Sequence, residues 1–184
     1  MKKKSLATFI ITLFLFISVA FSAEMVSFPG PEYLADPAER YSIIWQGPSS
    51  KDALHRLFLK NLSTGEKREL QSFTHKTDVL WAPDGSAVAI TDSNGINATD
   101  ITVYFPDRPD KTINMQEVLA RSFRKLQFVK QNQNVYFEIL GWRNQNILRF
   151  KVWGQGDNNP AGFVKYFECS MQGKAREVSN HQLK

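Results

Sequence analysis

Beyond residue 40 the chain is a succession of short runs in which apolar and polar residues alternate, each closed by turn-forming residues. A period of two marks a half-buried strand. Tyr41–Gln46 is the first such run, ended by Gly47-Pro48-Ser49-Ser50; His55–Asn61 follows, with Leu57 and Leu59 alternating against Phe58 and Lys60. Ser63-Thr64-Gly65 makes a tight turn in which Gly supplies positive φ, and Lys67–Gln71 returns. Val79–Ala82 and Ala87–Thr91 flank Pro83-Asp84-Gly85, where Pro presets φ, Asp favours the turn and Gly takes the left-handed position. A polar loop, Asp92–Thr99, leads to Ile101–Phe105. Later come Val135–Leu140, a turn at Arg143–Asn146, Ile147–Trp153, the turn-dense Gly154–Pro160, Gly162–Met171 and an edge at Arg176–Val178.

One stretch, about residues 114–126, has helical spacing. Asn114 and Glu117 stand at capping-box positions, and Ile113 and Val118 suit a hydrophobic staple. Val118, Leu119, Ser122, Phe123 and Leu126 share one face, and Arg121, Arg124 and Lys125 fall late, where the helix dipole favours cations. Residues 24–40, rich in Pro and small residues, read as an N-terminal arm with one turn capped by Asp36. Residues 179–184 read as a loose tail.

The beginning of the chain changes the charge arithmetic. Lys2, Lys3 and Lys4 precede an apolar run of about 16 residues, Leu6–Phe21, and small residues follow at Ala20, Ser22 and Ala23. That order is the order of a secretory signal peptide over residues 1–23, and the run is shorter than the ~20 residues of a spanning helix. Removing it takes the formal charge from +5 to +2, so the basic balance reports the leader and gives no support to nucleic-acid binding. No later stretch is apolar enough to span a bilayer. The expectation is a bacterial periplasmic or secreted protein, with one β domain over residues 41–178 carrying the helical insertion. One Cys excludes a disulfide framework, and 42% hydrophobic with 22% charged residues excludes a disordered or coiled-coil chain.

Three tryptophans end strand-like runs: Ile44-Trp45-Gln46-Gly47, Leu80-Trp81-Ala82-Pro83 and Gly141-Trp142-Arg143-Asn144. The first two are 36 residues apart; the second and third are 61 apart, with the helical stretch between them. A period near 40 built from short antiparallel strands is a signature of propeller blades. The stretch from Val79 to Ile90 resembles the blade repeat of TolB-type β-propellers, whose hairpin carries Trp-Ser-Pro-Asp-Gly; here Ala82 replaces the Ser. Leu57–Glu66 resembles the outer-strand turn of the same repeat. The likeness covers about residues 41–105 and weakens towards 178, where Asn144-Gln145-Asn146 stands in place of Pro-Asp-Gly. The resemblance implies an antiparallel, propeller-blade-like meander of about three blades, open or sandwich-like; with the helical stretch read above, the expectation is a mainly β fold with one inserted α-helix. It also implies a role as a protein-binding platform, since three blades leave no room for a separate catalytic domain. Exposed strand edges in an open arrangement invite association between copies.

Chemical motifs are sparse. Ser122-Phe123-Arg124-Lys125 matches Ser-x-x-Lys, but its companion motifs Ser-Asp-Asn and Lys-Thr-Gly are absent. Asp92, Ser93, Asn94, Asn97 and Asp100 cluster in the polar loop; counting from Asp92, Ile96 and Val103 occupy positions where an EF-hand needs oxygen ligands. The loop is therefore the candidate recognition site, as loops on rigid strands often carry binding. His55, His75 and His181 lack zinc spacing, and Cys169 sits on one strand face with Phe167 as a buried small hydrophobe. Phe137, Trp142, Phe150 and Trp153 are either core residues or platforms for a sugar or partner. No catalytic residue, metal or cofactor is implied. The leading expectation is an exported, non-catalytic binding module whose partner is another envelope protein or a glycan. The alternatives are a small exported glycan hydrolase and a lysozyme-inhibitor-like protein that uses the Asp92–Thr99 loop.

Overall fold

The computed structural model describes residues 24–50, 53–92, 99–122, 134–156 and 159–183. Among the described residues the fold is mainly β, with three antiparallel sheets and one α-helix, and the sheets do not close into a barrel. The first sheet holds β2 (Tyr33–Ala35), β3 (Tyr41–Gln46), β4 (His55–Asn61) and β5 (Lys67–Phe73) in that order. The second holds β1 (Val26–Phe28), β6 (Thr77–Trp81), β7 (Val88–Asp92), β8 (Asp100–Tyr104) and β9 (Thr112–Asn114). The third is β10 (Asn134–Asn144), β11 (Ile147–Gly156), β12 (Asn159–Ser170) and β13 (Ala175–Val178).

The sheets stack as three layers with the second in the middle. One core joins the inner face of the first sheet (Ile43, Leu57, Leu59, Phe73) to Val79, Trp81, Val88 and Ile90 of the second. The other core joins Leu80, Ala87, Ala89, Ile101 and Val103 to Phe137, Ile139, Phe150, Val152 and Phe167 of the third. A strand buried on both faces needs no alternation. That is why 79–82 and 87–90 read as unbroken apolar runs, while β4 and β11 alternate. Small side chains at Ala82, Ala87 and Ala89 face the third sheet, which supplies a stacked row, with Phe137–Phe150 centroids 6.2 Å apart and Phe150–Phe167 5.6 Å.

The sequence places residues 24–40 outside the sheets, but they supply two strands. β1 pairs with β6 and covers its edge, and β2 opens the first sheet. Phe28, fully buried, anchors the arm between the first two layers. The expected turn at Asp36 is present: its carboxylate accepts from the backbone N–H of Arg40 at 2.6 Å and Tyr41 at 2.7 Å. Where a loose tail is expected, Asn180–Leu183 form a 3-10 turn.

The helix, α1 (Met115–Ser122), starts where its caps dictate. Asn114 Oδ1 accepts from Glu117 N at 2.9 Å, and Ile113 and Val118 are both buried in the same core. Residues 123–126 of the expected helix lie outside the described residues. Among the described residues no helix is long and apolar enough to cross a membrane.

Two of the three tryptophans play one role. Trp81 on β6 donates its indole N–H to Leu34 O of the first sheet at 3.2 Å; Trp142 on β10 donates to Leu80 O of the second at 3.3 Å. Each joins the leading meander strand of one sheet to that of the sheet before it. A β-bulge aims Trp142: Ile139 pairs with Phe150 and Gly141 with Arg149, so Leu140 is the extra residue. Gly141 at φ 146° makes the bend that turns Trp142 inward. Trp45 differs. It lies on the second strand of its sheet and donates to His55 Nδ1 at 3.2 Å. The 36-residue spacing therefore links positions on different strands of their sheets.

Candidate binding groove

At one end of the stack, the β4–β5 turn of the first sheet faces the β8–β9 connection of the second, and a groove runs between them. Asn61 closes β4 and shapes the turn: its Oδ1 accepts from the N–H of Ser63 (2.9 Å) and Thr64 (3.1 Å), and Gly65 follows at φ 76°. The opposite wall is fixed by Arg68, whose guanidinium donates to Phe105 O and Pro109 O, both at 3.0 Å. Phe105 is buried, with Arg108 and Lys111 over its ring at 4.4 and 4.5 Å.

Tyr41, the first residue of β3, divides the groove into two hollows. The larger, about 490 Å³, is walled by Tyr41, Leu59, Lys67, Arg68, Pro106 and Pro109; the smaller, about 430 Å³, by Tyr41, Arg40, Asn61, Leu62 and Asp107. The Tyr41 hydroxyl donates to Asp107 Oδ1 at 2.6 Å. That hydrogen bond first, then burial and the Asp107 charge, raises its pKa above the ordinary 10.0, so the phenol stays protonated. Arg40 links the layers: it lies 3.7 Å from the buried Asp36 carboxylate and 3.9 Å from Asp107, and donates to Asp84 O at 3.3 Å.

The Pro83-Asp84-Gly85 turn does more than reverse the chain. Gly85 has φ 71°, and a Cβ there would lie 2.2 Å from Asp36 Oδ2. The missing side chain lets the second sheet's turn seat against the buried carboxylate that organises the first sheet's turn.

A second charged cluster pins the third sheet. Glu168 is 4% exposed and its carboxylate accepts from Arg149 Nε (3.1 Å), Arg176 Nε (3.1 Å) and Nη2 (2.6 Å), and Arg143 Nη1 (3.3 Å). Burial pushes the carboxyl pKa up, but the hydrogen bonds from Arg176 and Arg149 outweigh it and hold the group below its ordinary 4.5. The four strands of the sheet supply these groups, so one carboxylate ties all of them together.

Of the loop residues expected to bind, Ser93, Asn94 and Asn97 lie outside the described residues, and Asp92 is placed by its backbone at the end of β7, opposite Asp100. Asp100 has a structural task. Its carboxylate accepts from the Asn114 side chain and, at 3.2 Å, from Gln116 N, in the first turn of α1. Thr99 ties the end of the loop to the third sheet, its Oγ accepting from Phe137 N at 2.6 Å. Ser122 ends the helix, exposed, and Lys125 lies outside the described residues. Cys169 is fully buried, and burial pushes its thiol up to about 11. Phe137 and Phe150 are core, Trp142 packs against that core, and Trp153 stacks on Tyr136 at 4.4 Å on the outer face. The groove residues were not singled out from sequence: Tyr41 and Asp107 are 66 positions apart, and only the density of Pro and charge in 106–110 hints at a shaped loop there.

No protein-family model matches the chain, and no curated protein is significantly similar to it.

Proposed function

We propose that the chain is a non-catalytic binding module of the bacterial envelope or exterior, which holds an extended segment of another envelope protein in the groove around Tyr41. The observation that carries this reading is the construction of the groove. Two sheets face each other across Tyr41, with Leu59 and Pro106 buried behind it and Pro109, Glu66 and Lys67 exposed beside it. Such a surface offers an aromatic and prolyl contact with charged anchors to an extended chain, as peptide-binding grooves do. Leader-directed export, read from residues 1–23, puts the module outside the cytoplasm. The TolB-type resemblance over residues 41–105 supports the same role, because propellers of that family act mostly as protein-binding platforms.

The test is photo-crosslinking in intact cells with p-benzoylphenylalanine at exposed Glu66, in the groove, and at exposed Glu177, on the third sheet. An adduct formed only from position 66, and lost when Lys67→Glu is added, is expected. No groove-specific adduct, or one indifferent to Lys67→Glu, rejects the reading.

A further inference from the structure

The outer face of the third sheet gathers three arginines on one carboxylate, more positive charge than that carboxylate can balance. Strand register sets Arg149 opposite Glu168 and Glu168 opposite Arg176, so two guanidiniums flank the carboxylate in a row across β11, β12 and β13. Arg143 comes from outside that row. It falls at the second register shift of β10, between Trp142, which pairs with Leu148, and Asn144, which pairs with Ile147, and so is the extra residue of a bulge. Bulges aim a side chain where the regular pleat would not. Arg143 Nη1 and Arg176 Nη2 both donate to the same oxygen, Glu168 Oε2, at 3.3 and 2.6 Å, while Arg149 Nε donates to Oε1.

The four groups together carry a net charge of +2. The chain beyond residue 23 also carries +2, so all its other charges cancel. Arg149 and Arg176 suffice to neutralise Glu168 and to join β11, β12 and β13; a third guanidinium on the same carboxylate adds repulsion between like charges. Neither Arg143 nor Arg176 pairs with another carboxylate among the described residues, and their side chains are 48% and 64% exposed. A guanidinium has five N–H donors in a planar fork. Nε and Nη2 of Arg143 and Nη1 of Arg176 have no partner among the described residues. Two forks that converge on one oxygen, with donors left over on exposed side chains, suit an oxyanion that bridges them. Charge selects the class of anion. A carboxylate would leave one positive charge unmatched, whereas a phosphate monoester carries close to two negative charges and balances the cluster. Because buried Glu168 already holds both arginines, little ordering remains when the anion arrives.

We propose that Arg143 and Arg176, held by Glu168 and backed by Arg149, bind the phosphate of a phosphomonoester, free or carried on a lipid headgroup. Titration of the full chain, as processed by the producing cell, with glycerol 3-phosphate in excess sodium chloride tests this. The readout is the amide nuclear magnetic resonance signals of residues 143 and 176 at about pH 7, where the monoester is mostly dianionic. Saturable shifts are expected, with acetate bound at least about tenfold more weakly. Arg143→Gln and Arg176→Gln should each weaken binding at least about tenfold. Each leaves Glu168 two guanidiniums, and thermal melting verifies that both variants fold. Vesicles of phosphatidylcholine with and without phosphatidic acid separate the two sources. Co-sedimentation that requires both phosphatidic acid and Arg143 assigns the phosphate to a lipid; saturable binding of glycerol 3-phosphate without co-sedimentation assigns it to a soluble ester; either supports the site. The proposal is overturned by no binding in either arm, by binding that survives either arginine substitution, or by acetate bound as tightly as glycerol 3-phosphate. A loss caused by Lys67→Gln, in the Tyr41 groove, overturns it as well. The two sites share no residue, so either idea can fail alone.

Discussion

Replacing Glu168 by Gln tests how far one buried carboxylate organises the third sheet. The substitution keeps the size and removes the charge that Arg149, Arg176 and Arg143 share. Breaking a fully buried ion pair costs ~3–5 kcal/mol, because a charge is left unpaired in a dry site. Here the arginine side chains are 22%, 64% and 48% exposed and can turn to water, and Gln keeps one acceptor oxygen. The expected loss is therefore ~2 kcal/mol, near that of a single charge-assisted hydrogen bond. Urea unfolding followed by far-ultraviolet circular dichroism reads it as a lower midpoint at neutral pH. The pH dependence isolates the mechanism. Because the folded carboxyl titrates below its ordinary 4.5, the unfolded chain takes up the proton first as acid is added. Its contribution is complete above that value and is lost as pH falls through the lower folded value. The gap between wild type and Glu168→Gln should thus narrow when both are unfolded at about pH 3. A loss below ~0.5 kcal/mol at neutral pH, in the range of ordinary surface pairs, would refute the reasoning, as would a gap unchanged in acid.

Two further outcomes follow from groups already placed. Cys169, fully buried with its thiol raised to about 11, should resist aromatic disulfide reagents in the native protein and react once urea unfolds it; fast native labelling would contradict its burial. Asp100→Ala should lower stability by ~1 kcal/mol through the first turn of α1, and Asn114→Ala by a similar amount. Their double variant should lose less than the sum, since the two side chains touch; strict additivity in thermal melts would argue against a shared cap.

Two strands with turn chemistry on both sides were legible to the residue, while others shift at their ends, as β5 runs on to Phe73 and β12 begins at Asn159 within the expected Gly154–Pro160 loop. Tyr41–Gln46 and His55–Asn61 stand where alternation puts them, because one face is buried and the other wet. The cap of α1 at Asn114 was equally plain. β1, β2 and β9 were not, since three residues carry no period and their formation depends on partners far along the chain, as with Val26 opposite Val79. The middle position of the second sheet is written in the unbroken run Val79–Ala82, but a continuous apolar run alone does not say what covers each face. Trp45 stands on the second strand of its sheet, whereas Trp81 and Trp142 stand on leading meander strands, a difference that the spacing alone does not carry. In the sequence Asp100 is one oxygen-bearing residue among several, and only the folded chain shows that Gln116 N and the Asn114 side chain already engage it. The groove stayed hidden because its walls meet only after two sheets have packed.

The sandwiched second sheet sets a timetable for assembly. Ile43, Leu57 and Phe73 are synthesised before Val88 and Ile90, their partners, exist. Until those residues arrive, the N-terminal third of the chain presents a sticky, unfinished surface, and slow translation or threading through a narrow pore would prolong its exposure. Such an intermediate calls for a holding chaperone. The middle layer, once delivered, completes only the first core; the second waits for Phe137, Phe150 and Phe167, so the two outer layers should gain their final rigidity in sequence.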